Sequence, residues 1–363
     1  MTTLRVIADD ILLPGGGPLA RYAEELTRAL IQAAPRGTDV AAVVAASPEG
    51  DYARLRDLLP GLRTLHRSAL ARRELAAAWQ HGFTALPGTG VVHAPSLFAP
   101  LRRHDRSLAP GDQTVVTIHD ALAWTNPELL TPRTVSWTKA MARRAERHAD
   151  AIVVPTHAAA AELAEHLELD GRVRVIGTAP STSLDVPSDA AVRRRRRGLP
   201  GRYVVAQCDG DTRNGFSDLA SAAASLDVAV VLLARGGDAT VVDGAERLTI
   251  LDDVDVADRV AILAGSAAFV QPSRGAAAAD SLLDALALGI PVVTTDLPAI
   301  VEIVTDAAVL VPAGDPAALA EAIRHLLEDA SAAERTGLAG ADRAKAFTWR
   351  DAAEKTWQLH ADL

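Results

Sequence analysis

Short runs of β-branched and aliphatic residues alternate along the whole chain with longer Ala-, Leu- and Arg-rich segments of helical period. This alternation restricts the fold more than any other feature. A strand that meets a helix before the next strand belongs to a parallel sheet with crossover helices. In the first half the strand candidates are Leu4–Ala8, Val40–Ala45, Val91–His93, Thr114–His119, Ala151–Pro155 and Val173–Ile176. Arg21–Ala33, Pro132–His148 and His157–Leu167 read as helices between them. The rhythm breaks over Pro180–Pro200, which holds Pro180, Pro187 and Pro200 and reads as a linker. It restarts with strands Tyr203–Asp209, Val228–Ala234, Thr249–Leu251, Ala268–Pro272, Pro291–Thr295 and Ala308–Val311. The matching helices are Phe216–Ala224, Val256–Leu263, Ser281–Leu288 and Pro316–Leu327, and two more close the chain, Trp349–His360 last. Two βα arrays in series are the expected size for 363 residues.

Hydrophobic residues make up 49% of the chain and aromatic residues only 4%, so each core is built from Ala, Val, Leu and Ile. A net charge of −9 argues against a general nucleic-acid binder, which needs a basic surface to displace counterions. The run Arg193–Arg197 is the one strongly basic stretch. It lacks interleaved aromatics and reads as a solvated helix face in the linker, with nucleic-acid or membrane-phosphate binding as the alternative. Cys208 is the single cysteine; it sits in an apolar strand and reads as a buried, inert thiol. Met1–Asp10 lacks the basic start and apolar stretch of a signal peptide, and no run reaches the ~20 apolar residues of a membrane span. The expected location is cytoplasmic, with peripheral contact at the inner face of the membrane left open.

Open α/β sheets bind ligands at the carboxyl ends of their strands, so the loops there carry the candidate chemistry. Gly15, Gly16 and Gly17 follow the first strand and directly precede a helix. Glycine lets backbone approach a ligand, and a helix start offers free N–H groups to an anion; the alternative is a simple flexible turn. No Gly-Lys-Ser/Thr follows and the GxGxxG spacing is absent, so neither a Walker loop nor a dinucleotide fingerprint is present. His93 ends one strand, and the pair His119 and Asp120 ends another. Such groups bond sugar hydroxyls or polarise a leaving group, or else tie loops together. In the second half Arg213 lies between a strand and a helix, able to reach a phosphate or else to stand in solvent at the helix entry. The loop Ser273–Ser281 is rich in Gly and Ala and precedes the helix of Asp284, a carboxylate suited to ribose hydroxyls.

Taken in order, these stretches resemble the retaining glycosyltransferases of family four. The residues concerned are GGGPLARYAEEL (Gly15–Leu26), HAPSLFAP (His93–Pro100), VVTIHDALAWTNP (Val115–Pro127) and AERHADAIVVPTHAAAAEL (Ala145–Leu163). DALALGIPVVTTD (Asp284–Asp296), with Pro298 and Glu302, and Phe347-Thr348-Trp349 complete the set. The resemblance implies an α/β fold of the GT-B type, two Rossmann-like domains facing each other across a cleft. The expected domains are 1–180 on the acceptor side, 181–346 on the nucleotide-sugar side, and 347–363 as a terminal helix that packs back on the first. It also implies that His119 lies by the donor sugar, the Gly15–Gly17 loop by the phosphates and acceptor, and Arg213 at the diphosphate. Metal and cofactor are not needed, the donor being a nucleoside-diphosphate sugar and the acceptor a glycan or lipid-linked molecule.

The donor loop departs from the family pattern. The two glutamates of that pattern fall on Ala276 and Asp284, and its Gly-Phe-Gly falls on Ala277, Ala278 and Ala279. Its Arg-Lys pair falls on Arg213 and Asn214, while Asp280 is acidic but displaced by one turn. Ser273, Ala276, Ala277, Ala278 and Asp280 are thus the donor-loop candidates beside Asp284. Two functions follow: a sugar transferase, or a GT-B protein that binds nucleotide, glycan or a partner enzyme with little or no turnover. A nicotinamide-dependent oxidoreductase fits the βα rhythm but lacks the fingerprint.

Overall fold

Thr2–Ile7 opens the chain as strand β1, and from it the βα rhythm runs to the C-terminus in the computed structural model. The structure describes all residues except 1, 14, 84–89, 105–110, 209–214, 235–247, 253 and 276–278. After β1 come α1 (Pro18–Gln32), β2 (Thr38–Ala46), α2 (Glu49–Leu58), β3 (Thr64–Ala71), α3 (Arg72–Gln80), β4 (Val91–Ala94) and β5 (Gln113–Thr117). Then follow α4 (Leu122–Thr125), α5 (Pro132–His148), β6 (Ala151–Val154), α6 (His157–Ala164), β7 (Val173–Val175) and α7 (Ala190–Arg196). The second array holds β8 (Tyr203–Cys208), α8 (Phe216–Ala223), β9 (Ala229–Ala234), β10 (Leu248–Leu251), α9 (Val256–Ala264), β11 (Ala268–Gln271) and α10 (Ala279–Ala287). β12 (Val292–Thr295), α11 (Pro298–Val304), β13 (Val309–Val311), α12 (Pro316–Glu328), α13 (Ala330–Ala344) and α14 (Trp349–Asp362) end it.

The strands form two separate parallel sheets, in the orders β3-β2-β1-β4-β5-β6-β7 and β10-β9-β8-β11-β12-β13. Both are doubly wound: the chain builds outward from the first strand on one side, then returns to build on the other. The chain divides into two compact units, residues 1–178 with 349–363, and residues 179–348. In the second unit successive residues of β8 enter opposite cores. Val204 and Ala206 pack with Leu219, Val230 and Ile323, while Tyr203 and Val205 pack with Phe269, Leu282 and Ile300. That two-sided burial is why these strands read as unbroken apolar runs rather than alternating ones.

Helix starts follow local chemistry. Pro18, Pro132, Pro298 and Pro316 each occupy a first turn, where a missing N–H costs nothing. Thr131, Thr156, Asp255, Asp315 and Asp329 accept hydrogen bonds from the first-turn amides of α5, α6, α9, α12 and α13. α14 buries the stripe Trp349, Ala352, Ala353, Thr356, Leu359 and His360, against α1 within the first unit. The Trp357 indole N–H donates to the Leu30 carbonyl at 3.1 Å, and the Trp349 and Tyr22 rings lie 5.8 Å apart.

The structure departs from the sequence reading at β3 and at α7. β3 is an additional edge strand, half-exposed, whose polar residues mask its period. Residues 180–200 are more than a linker, because α7 packs on α9 inside the second unit. The arginine run on α7 is accordingly not a purely solvated face. Arg193 and Arg197 donate to Asp258 at 2.8 and 2.7 Å, and Arg194 donates to the Ala261 carbonyl at 3.0 Å. The side chain of Cys208 lies outside the described residues, so its expected burial is not addressed by the structure.

Candidate functional site

In each sheet the strand order reverses once, between β1 and β4 in the first unit and between β8 and β11 in the second. Loops leaving a doubly wound sheet at such a reversal part to opposite faces and open a crevice at the carboxyl edge. Each unit is described from that point.

In the first unit Gly15 and Gly16 adopt left-handed backbone, φ 77° and 59°, which a residue with a side chain adopts only with strain. Gly17 caps α1, and a Cβ at Gly16 or Gly17 would touch nothing within 4 Å. The loop therefore presents open backbone beside a helix start, as its sequence suggests. His119 is half-buried just past β5. Its Nε2–H donates to the Pro95 carbonyl at 2.8 Å, which leaves Nδ1 as an acceptor in the neutral ring. The ring stands edge-on to Tyr22, with centroids 4.8 Å apart. Burial pushes the Tyr22 phenol up to about 12, offset in part by Thr117, so it stays protonated. Asp120 accepts from the Leu122 amide at 3.0 Å. Burial, with Asp120 and Glu165 nearby, also raises the carboxyl of Glu162.

His93 is placed elsewhere. It is fully buried on β4, its Nδ1 3.3 Å from Nε2 of His360 on α14. The ring bonds a helix inside the unit, which corresponds to the loop-tying alternative rather than to a sugar contact.

The sequence reading passed over a charged cluster at the β1/β4 reversal. Asp9 and Asp10 open the short 3-10 turn that follows β1 and are buried. Asp10 accepts from Arg72 at 2.6 Å and from the Ser96 hydroxyl at 2.6 Å; Asp9 accepts from the Ala45 amide at 2.7 Å and pairs with Arg72. Burial opposes the Arg72 charge, but Asp10 and Asp9 outweigh it and raise its pKa. The guanidinium also lies 4.3 Å over the Phe98 ring. Adjacent carboxylates directly after the first strand were the available signal; their partners are 62 and 86 residues away.

In the second unit the loop after β11 and the start of α8 are fastened together at the reversal. Arg274 grips Asp218 through two bonds of 2.6 Å, and Gly215 packs on Pro272. Gly215 has φ 65°, and a Cβ there would lie 1.7 Å from the Pro272 carbonyl oxygen, so only glycine fits. Ser273 is buried; its hydroxyl accepts from Gln271 at 3.3 Å and its carbonyl from Thr295 at 2.9 Å. Asp280 is buried in the first turn of α10. Asp284, 0% exposed, accepts from the Ser181 amide and from Arg259, both at 2.8 Å. Each of its oxygens is engaged inside the unit, which ties α10 to α9 and to residue 181. Arg213, Asn214, Ala276, Ala277 and Ala278 lie outside the described residues. Among the described residues no group of His, Cys, Asp and Glu is arranged to hold a metal, and no helix is long and apolar enough to cross a membrane.

Residues 15–183 match the family model "Glycosyltransferase Family 4", and residues 208–329 match "Glycosyl transferases group 1". Over 172 residues the chain is 31% identical to a phosphatidyl-myo-inositol mannosyltransferase of Mycobacterium leprae (strain TN). That match covers 44% of the chain and 44% of the relative, less than half the length of either. Among solved structures, sucrose-phosphate synthase from Thermosynechococcus elongatus is similar over 100% of this chain and 99% of its own, with a TM-score of 0.72 and 20% identity. HepE of Anabaena, in complex with UDP-glucose, is similar over 100% of both chains, with a TM-score of 0.71 and 16% identity. WaaG, a glycosyltransferase involved in lipopolysaccharide biosynthesis, is similar over 98% of both, with a TM-score of 0.65 and 15% identity. At these identities the likeness establishes the fold, which is GT-B.

Proposed function

We propose that this chain, a GT-B protein of the group 1 and family 4 glycosyltransferases, transfers a sugar from a nucleoside-diphosphate sugar to a glycan or lipid-linked acceptor. Transfer proceeds with retained configuration and without a metal. The observation that carries the reading is the carboxyl edge of the second sheet. There the strands of the reversal point lead into the amino ends of α8 and α10, and those ends are held by the Arg274–Asp218 clamp. Helix amino ends offer unpaired N–H groups to a diphosphate, and Arg213 adds a charge. In the first unit His119 and Asp120 serve the donor sugar, and the Gly15–Gly17 backbone serves phosphates and acceptor. HepE, solved with UDP-glucose, makes that donor the first to try, and the M. leprae relative makes a lipid-linked acceptor the first partner to try.

A second reading, nucleotide binding with little turnover, draws on a specific placement. Asp284 spends its oxygens on Ser181 and Arg259, and Ala276 offers no side-chain hydrogen bond to a donor sugar. One absent transition-state contact costs about 2–4 kcal/mol. The two readings part on one experiment: donor hydrolysis and transfer across a panel of nucleotide sugars, for the natural chain and for Ala276→Glu with Asn214→Lys. Turnover by the natural chain that His119→Ala abolishes is the expected result. Nucleotide binding without turnover, gained on the double substitution, supports the second reading. Failure to bind any nucleoside diphosphate rejects both.

A further inference from the structure

His119 is half-buried, yet two buried groups hold its ring. One is the Pro95 carbonyl, which accepts from Nε2–H at 2.8 Å. The next residue braces that carbonyl: the Ser96 hydroxyl donates to Asp10 at 2.6 Å and accepts from the Phe98 amide at 3.1 Å. The other is the Tyr22 ring of α1, set at 89° to the imidazole with centroids 4.8 Å apart. Tyr22 is buried, and its ring also meets Trp349, the first residue of α14, with centroids 5.8 Å apart and the planes tilted by 58°. α14 packs along α1, so Trp349 is held against Tyr22 by the helix that carries it. The two holds do different things. A carbonyl only accepts, so the first fixes the proton on Nε2 and leaves Nδ1 of the neutral ring as an acceptor. A ring bonded through one atom can still turn about that bond. An edge-to-face contact has a preferred geometry of its own and resists the turning. Placement of this kind matters to turnover, because a misplacement of about 1 Å costs on the order of 10²-fold in rate.

We propose that Tyr22, backed by Trp349 of the last helix, is a positioning residue for His119, fixing the imidazole plane so that Nδ1 accepts from a hydroxyl of the donor sugar. The proposal rests on the transferase reading for what Nδ1 meets; the fixing of the ring is independent of turnover. Through Trp349 the end of the chain takes part in setting a side chain just past β5.

Two readouts test it on the whole chain. The first is the motion of the His119 ring, measured by ¹³C relaxation on histidine-labelled protein, with His119→Ala assigning its signals among the ten histidines. The second is kcat with the nucleotide sugar that the panel identifies, UDP-glucose first, beside the affinity for the free nucleoside diphosphate. The natural chain should show a His119 ring about as ordered as rigid backbone, with an order parameter of about 0.85. Tyr22→Leu should drop it below about 0.6 and lower kcat at least about tenfold, with the affinity for the nucleoside diphosphate, which has no sugar to meet His119, unchanged. Tyr22→Phe keeps the ring and should rescue both readouts, and Trp349→Leu should shift both in the direction of Tyr22→Leu. Each variant is assayed where its urea curve shows the first unit folded. Tyr22→Met, whose flexible side chain fills the same space, replaces Tyr22→Leu if that variant does not fold. A His119 ring equally ordered with and without the Tyr22 ring overturns the proposal, and so does an active chain whose kcat ignores Tyr22→Leu. If Tyr22→Leu loosens the ring while no nucleotide sugar turns over in the natural chain, the hold on His119 stands and the transferase reading falls. If turnover is lost in His119→Ala but ring order and kcat survive Tyr22→Leu, the reverse holds.

Discussion

Acid should loosen the C-terminal helix from the first unit, through two histidines. Nδ1 of His360 lies 3.5 Å from the Gln113 amide oxygen, and its Nε2 lies 3.3 Å from His93 Nδ1. One set of tautomers satisfies both contacts: His360 donates to Gln113, and His93 donates to His360. His93 Nε2, buried and without a partner, is then a bare lone pair rather than an orphaned donor. Both rings must be neutral for this arrangement, since a proton on His360 Nε2 would oppose the His93 N–H. Burial holds His360 at about 4 instead of 6.5, and burial with His360 beside it holds His93 well below the usual range. The unfolded chain therefore binds protons that the folded chain excludes, so stability rises with pH in this window. The contribution is complete above pH 6.5 and is lost as pH falls toward 4. His360 alone accounts for about 2 kcal/mol between pH 7 and pH 5, and His93 adds in the same direction. All five tryptophans belong to residues 1–178 and 349–363, so urea unfolding followed by tryptophan fluorescence reports on the first unit alone. His360→Leu should flatten the pH dependence between 7 and 5 by about 2 kcal/mol relative to the natural chain, whatever it costs at pH 7. Equal pH dependence in the two proteins would refute the buried neutral pair.

Three further outcomes are expected. Arg259→Ala removes the guanidinium that pairs with the buried Asp284 carboxylate and should destabilise the second unit by about 3–5 kcal/mol in chemical denaturation, whereas Arg259→Met with Asp284→Leu should cost much less. Gly215→Ala combines left-handed backbone with a Cβ overlapping the Pro272 carbonyl; the second unit should lose at least about 2 kcal/mol, and nucleoside-diphosphate binding measured by calorimetry should fall with it. Trp357→Phe removes the bond to the Leu30 carbonyl and should lower the stability of the first unit by about 1 kcal/mol, read as a shift in its urea midpoint.

The sheets were legible because parallel strands buried on both faces leave continuous apolar runs, as in β6 and β12, where every residue is buried. β3 escaped because an exposed edge carries Thr64, His66, Arg67 and Ser68 and buries too little to leave a period. α7 was masked by its arginines: a basic run reads as solvated until its acceptors, Asp258 and the Ala261 carbonyl, are brought more than 60 residues back to meet it. The site divides the same way. Glycine spelled out the backbone freedom of the first loop, and the apolar run of β5 put His119 and Asp120 just past a strand end. Neither the commitment of Asp284 to Ser181 and Arg259, nor the burial of His93 against His360, follows from spacing, because each depends on contacts set by tertiary packing.

The return of residues 349–363 to the first unit has a consequence for how the protein is made. Residues 179–348 are contiguous, so once translated they contain everything their own core requires. The first unit is emitted in two instalments, with the whole of the second between them. Until residues 349–363 leave the ribosome, α1 lacks the helix that covers it, and His93 and the Leu30 carbonyl lack the side chains that complete them. Residues 1–178, synthesised before residues 179–348, are thus able to finish folding only after them, and they wait through that part of translation with apolar surface uncovered.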